Sequence, residues 1–101
     1  RLRIVFGMVN DKDIRGVLRL MPKEATYYFC QASVTRALNS TALQEVARKF
    51  DLQGAAYPTV QAATEAALAE ADAEDFIYVG GSSFVVADLL TCWAEMKKNR
   101  E

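Results

Sequence analysis

Leu2-Arg3-Ile4-Val5-Phe6-Gly7-Met8-Val9, followed by Asn10-Asp11-Lys12-Asp13, is the stretch that decides the fold. Apart from Arg3, the first eight residues are β-branched, aromatic or apolar, and towards their end both alternating faces are apolar. A strand of that kind suits the buried interior of a parallel sheet rather than a one-sided antiparallel hairpin. Asn10 to Asp13 breaks the run with turn chemistry. Ile14, Val17, Leu18 and Met21 then recur at helical spacing until Pro22. Asp11 or Asp13 is the expected cap, and acidic residues at a helix start suit its dipole. Strand, turn and helix in that order are the first half of a βαβ unit.

The rest of the chain repeats the alternation. Ala25 to Cys30 reads as a second strand, rich in strand formers. Gln31 to Asn39 is a longer connection. Ser40-Thr41 opens a helix in which Thr41 and Gln44 fit a capping box and Leu43, Val46, Ala47 and Phe50 form one apolar stripe. Gly54 is read as its end. Pro58 opens a third, alanine-rich helix with Val60, Ala63, Ala67 and Ala71 on one face. Asp75 precedes a third strand, Phe76-Ile77-Tyr78-Val79, and Gly80-Gly81-Ser82-Ser83 turns into a last helix. Val86, Leu89, Leu90, Trp93 and Met96 are its expected buried face, and Lys97, Lys98 and Arg100 close it with favourable positive charge. The order β-α-β-α-α-β-α predicts an α/β fold with a mainly parallel sheet and helices on both faces. The 101 residues are expected to form a single domain. Because a strand pattern begins at Arg1, that domain is expected to be a piece of a longer protein, truncated at its N-terminus.

Composition narrows the function. Apolar residues make up 51% and charged residues 25%, an ordinary globular balance. Lys and Arg number 12 against 13 Asp and Glu, so no basic footprint for nucleic acid exists. No apolar run is long enough for a bilayer, and no leader pattern is visible; a cytoplasmic protein with no membrane partner is expected. The chain has no histidine, so by itself it has no Ser/His/Asp triad, Cys/His pair or histidine metal site. No metal site is expected in it. Cys30 and Cys92 sit in apolar surroundings and read as buried, reduced thiols.

In parallel α/β sheets ligands bind at the carboxyl ends of the strands. Three loops qualify here: Asn10–Asp13, Gln31–Asn39 and Gly80–Ser83. Gly80 and Gly81 let a backbone approach an anion, and Ser82 has a hydroxyl to donate at a helix start. The structural alternative is a tight turn with a serine cap. Asp11, Lys12 and Asp13 read either as a polar, cleft-facing loop near a nucleotide or as a solvated helix start. Arg36 has the shape to clamp a carboxylate, or is an exposed loop arginine. Tyr27, Tyr28 and Phe29 read as core rather than as a base-stacking platform. Gly-x-Gly-x-x-Gly and Gly-x-x-x-x-Gly-Lys-Ser/Thr are both absent, so the chain has no phosphate loop of its own.

Phe6-Gly7-Met8-Val9-Asn10-Asp11-Lys12-Asp13 with Leu20-Met21-Pro22-Lys23, then Tyr27 to Ser33 with Arg36-Ala37-Leu38, then Phe76 to Ala87, resemble in order the C-terminal domain of folylpolyglutamate synthase. The bifunctional bacterial form, also a dihydrofolate synthase, is the most similar. The resemblance covers almost the whole chain and implies a Rossmann-like domain of the Mur ligase superfamily. It implies an ATP-dependent ligase that converts a folate or dihydropteroate carboxylate to an acyl phosphate, which the amine of glutamate attacks. ATP and magnesium would be bound mainly by N-terminal and central domains absent from this chain, as would the family's Asp-Gly-Ala-His-Asn run. Folate, glutamate and ATP are then the partners, and the chain alone is expected to be inactive, with no catalytic residue of its own. The resemblance assigns Ser82 and Arg36 to glutamate, Asp11, Lys12 and Asp13 to a cleft-facing loop, and Gly80 and Gly81 to an anion-friendly turn. Thr35 stands where the family commonly has proline. A cell-wall Mur ligase and a non-catalytic Rossmann-like binding domain are the alternative readings.

Overall fold

Four strands and four helices alternate strictly in the computed structural model, which describes residues 1–10 and 13–100. They are β1 (Leu2–Phe6), α1 (Ile14–Leu20), β2 (Ala25–Phe29), α2 (Ser40–Arg48), β3 (Gly54–Ala56), α3 (Val60–Glu70), β4 (Phe76–Gly80) and α4 (Ser83–Arg100). The sheet is wholly parallel, in the order β3-β2-β1-β4. Ile4 lies opposite Tyr27 on one side and Tyr78 on the other. The expected parallel sheet through Ile4-Val5-Phe6, Tyr27-Tyr28-Phe29 and Ile77-Tyr78-Val79, with helices on both faces, is the one observed.

Strand alternation splits the core in two. Ile4, Phe6, Tyr27 and Phe29 face α1 and α2, where they meet Leu18, Leu43 and Ala47. Val5 and Tyr28 face α3 and α4, where they meet Val60, Ala63, Ala67 and Val85. The rings of Tyr27 and Phe29 stack 5.5 Å apart, and the Tyr27 hydroxyl donates to the Pro22 carbonyl at 2.6 Å. Burial pushes that phenol up to about 12. The aromatic run of β2 is therefore core.

Several local expectations are corrected. Gly54 does not simply end α2; Gly54–Ala56 is a third strand beside β2. Three small residues with weak strand propensity give no signal of their own, and the ladder is held by β2 and by Gln44, whose Nε2 donates to the Gly54 carbonyl at 2.8 Å. Gln44 thus completes no capping box with Thr41. Asn39 caps α2, its Oδ1 accepting from the N–H groups of Thr41 and Ala42. Asp13 caps α1 through the Gly16 N–H at 3.1 Å, and the first turn of that helix holds no acidic residue. Helix α3 begins at Val60 with Thr59 as its cap, so Pro58 lies just before it rather than in its first turn. Val9 falls outside β1 and forms an antiparallel bridge with Ala37. On α4 the buried residues are Val85 and Met96, whereas Val86, Leu90 and Trp93 are exposed, Leu90 by 71%. A helix packed at an outer corner of a layer buries a narrower stripe than the apolar count suggests.

Beyond the amino ends of the strands, one charged cluster ties β1 to β2, α3 and the entrance of β4. Arg3 Nε donates to Asp75 at 2.8 Å and its Nη1 to the Tyr28 hydroxyl at 2.9 Å. Tyr28 in turn donates to Glu70 at 2.6 Å. The Asp72 N–H and the Arg3 guanidinium hold the Asp75 carboxyl far below the usual carboxylate range. No described helix is long and apolar enough to cross a membrane.

Candidate functional site

The order β3-β2-β1-β4 reverses direction between β1 and β4, so the topological switch point lies at the carboxyl ends of those two strands. The loops that leave β1, β2 and β4 converge there. The first two are zipped by backbone. The Leu38 N–H donates to the Met8 carbonyl and the Asn10 N–H to the Arg36 carbonyl, both at 2.8 Å. The second loop is also tethered to α4: the Ser33 N–H and hydroxyl donate to the two carboxylate oxygens of Asp88 at 2.7 and 2.9 Å.

This scaffold brings Arg36 to the start of α4. Its guanidinium carbon lies 6.0 Å from the centre of the Phe84 ring, within cation–π range. Phe84 is two residues beyond Ser82, so the two residues expected at glutamate share one surface, and Arg36 is exposed on it. Ser82 is the cap of α4. Its Oγ accepts from the Phe84 N–H at 3.1 Å and its carbonyl from the Val85 N–H at 3.0 Å. A hydroxyl that accepts from a cap N–H keeps its own proton to donate. The cap and the ligand readings of Ser82 are therefore compatible.

Gly80 and Gly81 have structural duties. Gly80 ends β4 and its carbonyl accepts from the Gly7 N–H at 3.3 Å, joining the β4 turn to the end of β1. Gly81 adopts φ +102°, and a Cβ there would collide with the Gly7 carbonyl and the Phe6 ring. Asp13 is an exposed helix cap. Asp11 and Lys12 lie outside the described residues.

Ser33 and Asp88 escaped the sequence reading. Neither has a local signal, since their pairing spans 55 residues of sequence. Beside them a cavity of about 230 Å3 opens between Ser33, the first turn of α3 at Thr59 and Gln61, and Asp88, Thr91 and Cys92 of α4. Cys30 and Cys92 are free. Burial, with Asp88 adding to it, pushes the Cys30 thiol up to about 12, so it remains protonated and inert. Cys92 is half-buried rather than buried. Among the described residues no three His, Cys, Asp or Glu side chains converge as a metal site would require.

No family model matches the chain. It is 35% identical over 95 residues to the probable bifunctional folylpolyglutamate synthase/dihydropteroate synthase of Haloferax volcanii, covering 91% of this chain and 11% of that protein. It is 33% identical over 90 residues to the dihydrofolate synthase/folylpolyglutamate synthase of Escherichia coli, covering 89% of this chain and 21% of that protein. Its fold matches the Yersinia pestis bifunctional folylpolyglutamate synthase/dihydrofolate synthase, solved with AMPPNP and a manganese ion, at a TM-score of 0.81 and 26% identity. That match covers 93% of this chain and 22% of the other. The chain therefore spans about a tenth to a fifth of the length of these relatives. In sequence and in fold, it is a homologue of one segment of the folylpolyglutamate synthase/dihydrofolate synthases.

Proposed function

We propose that residues 1–101 are one domain, C-terminal in position, of a cytoplasmic ATP-dependent ligase that joins glutamate to folate or dihydropteroate through an acyl phosphate. The observation that carries this reading is the homology along nine-tenths of the chain to enzymes of that name. The domain's own part is to present Arg36 and Ser82 to the incoming glutamate. Apart from its amine, glutamate is a dianion. A guanidinium and a hydroxyl at a helix start are suitable partners for its carboxylates. The zipped loops fix the backbone of Arg36, and the cap fixes Ser82.

The domain also contributes to holding the nucleotide, while most of the ATP and metal site lies outside it on this reading. The described residues hold no converging ligand set, and the sequence holds no phosphate loop. ATP and magnesium are thus assigned mainly to the rest of the parent enzyme, and the loop role of Asp11, Lys12 and Asp13 near the nucleotide stays a proposal. The isolated chain is inactive on this reading.

Arg36→Ala and Ser82→Ala in the full-length enzyme test it. Loss of a charge-assisted hydrogen bond at Arg36 is worth about 1.5–3 kcal/mol, a rise of roughly 10- to 150-fold in glutamate KM. Ser82→Ala should raise it less and also lose a cap worth about 1 kcal/mol of stability. The KM for ATP should hold in both. An unaltered glutamate KM in Arg36→Ala refutes the assignment, and glutamate-dependent ADP release by the isolated chain refutes the division of labour.

A further inference from the structure

Arg36 sits at the tip of a turn that is held from both sides. The Ala37 N–H donates to the Val34 carbonyl at 3.1 Å, which places Thr35 and Arg36 at the tip. The exit of the turn is fixed to the β1 loop by the main-chain bonds at Arg36 and Leu38. Its entry is fixed to α4 by the two bonds from Ser33 to Asp88. Phe84, beside the Arg36 guanidinium, stands one helical turn before Asp88, so both lie on one side of α4. Ser82 caps that same helix.

We propose that Asp88 and Phe84 are positioning residues for Arg36. Asp88 sets the main chain of the loop and Phe84 the guanidinium, and together they fix the spacing of Arg36 from Ser82 by referring both to α4. This rests on the reading of Arg36 and Ser82 as glutamate contacts.

The tether has the strength and the direction for that role. Hydrogen bonds to an ionised carboxylate are roughly twice as strong as neutral ones. The other contacts at the loop entry are apolar: Ala32 is buried and Val34 packs against the same cluster. Apolar burial holds a loop down without fixing its direction. Beside the tether lies the cavity of about 230 Å3 between Ser33, Thr59, Gln61, Asp88 and Thr91. The loop entry therefore has room to shift towards α3 once the bonds are gone, which a close-packed segment would not. A loop already ordered in its binding pose also spares the ligand the cost of ordering it. Without the tether, a loop in that pose for about a tenth to a third of the time raises the apparent glutamate KM about 3- to 10-fold. The ceiling is the rise produced by Arg36→Ala itself.

Glutamate kinetics on the full-length enzyme test this, in Asp88→Ala, Arg36→Ala and the double variant. Asp88→Ala should raise the glutamate KM about 3- to 10-fold, with kcat at saturating glutamate and the KM for ATP unchanged. Asp88→Asn, which keeps one acceptor oxygen, should raise it less. In the Arg36→Ala background Asp88→Ala should add nothing, because it acts through Arg36. Phe84→Leu keeps bulk but loses the ring face, and should raise the glutamate KM about 2- to 5-fold. Trypsin should cut after Arg36 faster in Asp88→Ala, as released loops are cut more readily. Should Asp88→Ala fail to fold, Ser33→Ala, which removes only the hydroxyl bond, should give the same pattern at smaller size. An unchanged glutamate KM in Asp88→Ala beside a raised one in Arg36→Ala sinks this proposal and leaves the glutamate reading standing. So does an equal rise in both backgrounds, a fall of kcat in step with the rise in KM, or an unchanged rate of cutting. An unchanged KM in Phe84→Leu overturns the Phe84 half. An unchanged KM in Arg36→Ala sinks the glutamate reading, and this proposal with it, whatever trypsin shows.

Discussion

Gly81→Ala would show how far the turn after β4 is a structural device. Gly81 sits at φ +102°, well beyond the left-handed well of L residues near about +57°. Holding an alanine in so sparse a region costs about 1–3 kcal/mol. The added methyl would also run into the Gly7 carbonyl oxygen and lie 2.7 Å from the Phe6 ring. One neighbour is backbone and the other a buried core ring, so relief requires the end of β1 to move. Overpacking of that kind adds about 1–3 kcal/mol. The sum, about 2–6 kcal/mol, is a large share of the roughly 5–15 kcal/mol that holds a domain together. Gly80→Ala is the control. Its Cβ would meet the Tyr78 ring at 2.7 Å, but that ring is half exposed and free to swing aside. A loss within about 1 kcal/mol is expected there. Urea unfolding followed by circular dichroism reads both. At a slope of about 1–3 kcal/mol per molar, the Gly81→Ala midpoint should fall by about 0.7 M or more. A midpoint within about 0.3 M of the unsubstituted chain, or an equal loss from Gly80→Ala, would refute the reasoning.

Two further expectations concern titratable groups. The folded pKa of Asp75 is depressed, so its stabilising effect is complete above the unfolded carboxylate value of about 3.9 and is lost as pH falls below it. Asp75→Asn should flatten the fall of melting temperature below about pH 4, and an unchanged acid limb would contradict the network. With the Cys30 thiol held up at about 12 and buried, a disulfide reagent at mildly alkaline pH should label Cys92 alone, and Cys30 only after unfolding. Equal labelling of both in the folded chain would show that the β2 end breathes.

The legible strands are runs of β-branched and aromatic residues, including the edge strand β4, whose Phe76 and Tyr78 are exposed. β1 and β2 lie inside the sheet, and Val5 and Tyr28 are as buried as Ile4 and Tyr27. β3 was not legible because an edge strand of Gly54, Ala55 and Ala56 contributes backbone rather than side chains, and backbone pairing leaves no mark on composition. The stripe on α4 misled for the opposite reason. Val86, Leu90 and Trp93 are apolar enough to be core, yet the neighbours that would bury them lie elsewhere. The candidate site divides in the same way. Arg36 and Ser82 were visible because charge and a glycine-serine turn stand out at strand ends. Ser33 and Asp88, which hold the Arg36 loop against α4, act through a pairing 55 residues apart in sequence that no local pattern announces.

The two ends of the sheet use different chemistry, and the difference bears on what the site is able to do. At the amino end, side chains make the links: Arg3, Tyr28, Glu70 and Asp75 spend their polar groups on one another. At the carboxyl end the loops are joined mainly through main-chain groups of Met8, Asn10, Arg36 and Leu38, with Ser33 and Asp88 as the side-chain tie. The Arg36 carbonyl is anchored while its guanidinium rests on the surface near Phe84. The Leu38–Met8 and Asn10–Arg36 bonds run through the main chain, so Arg36→Ala leaves them in place whether or not it removes the proposed glutamate contact. Substitution at Asp75, by contrast, breaks a side-chain link. On the proposed reading the carboxyl end binds and the amino end stabilises, and the contrast in glutamate KM against acid stability is the measurable form of that division.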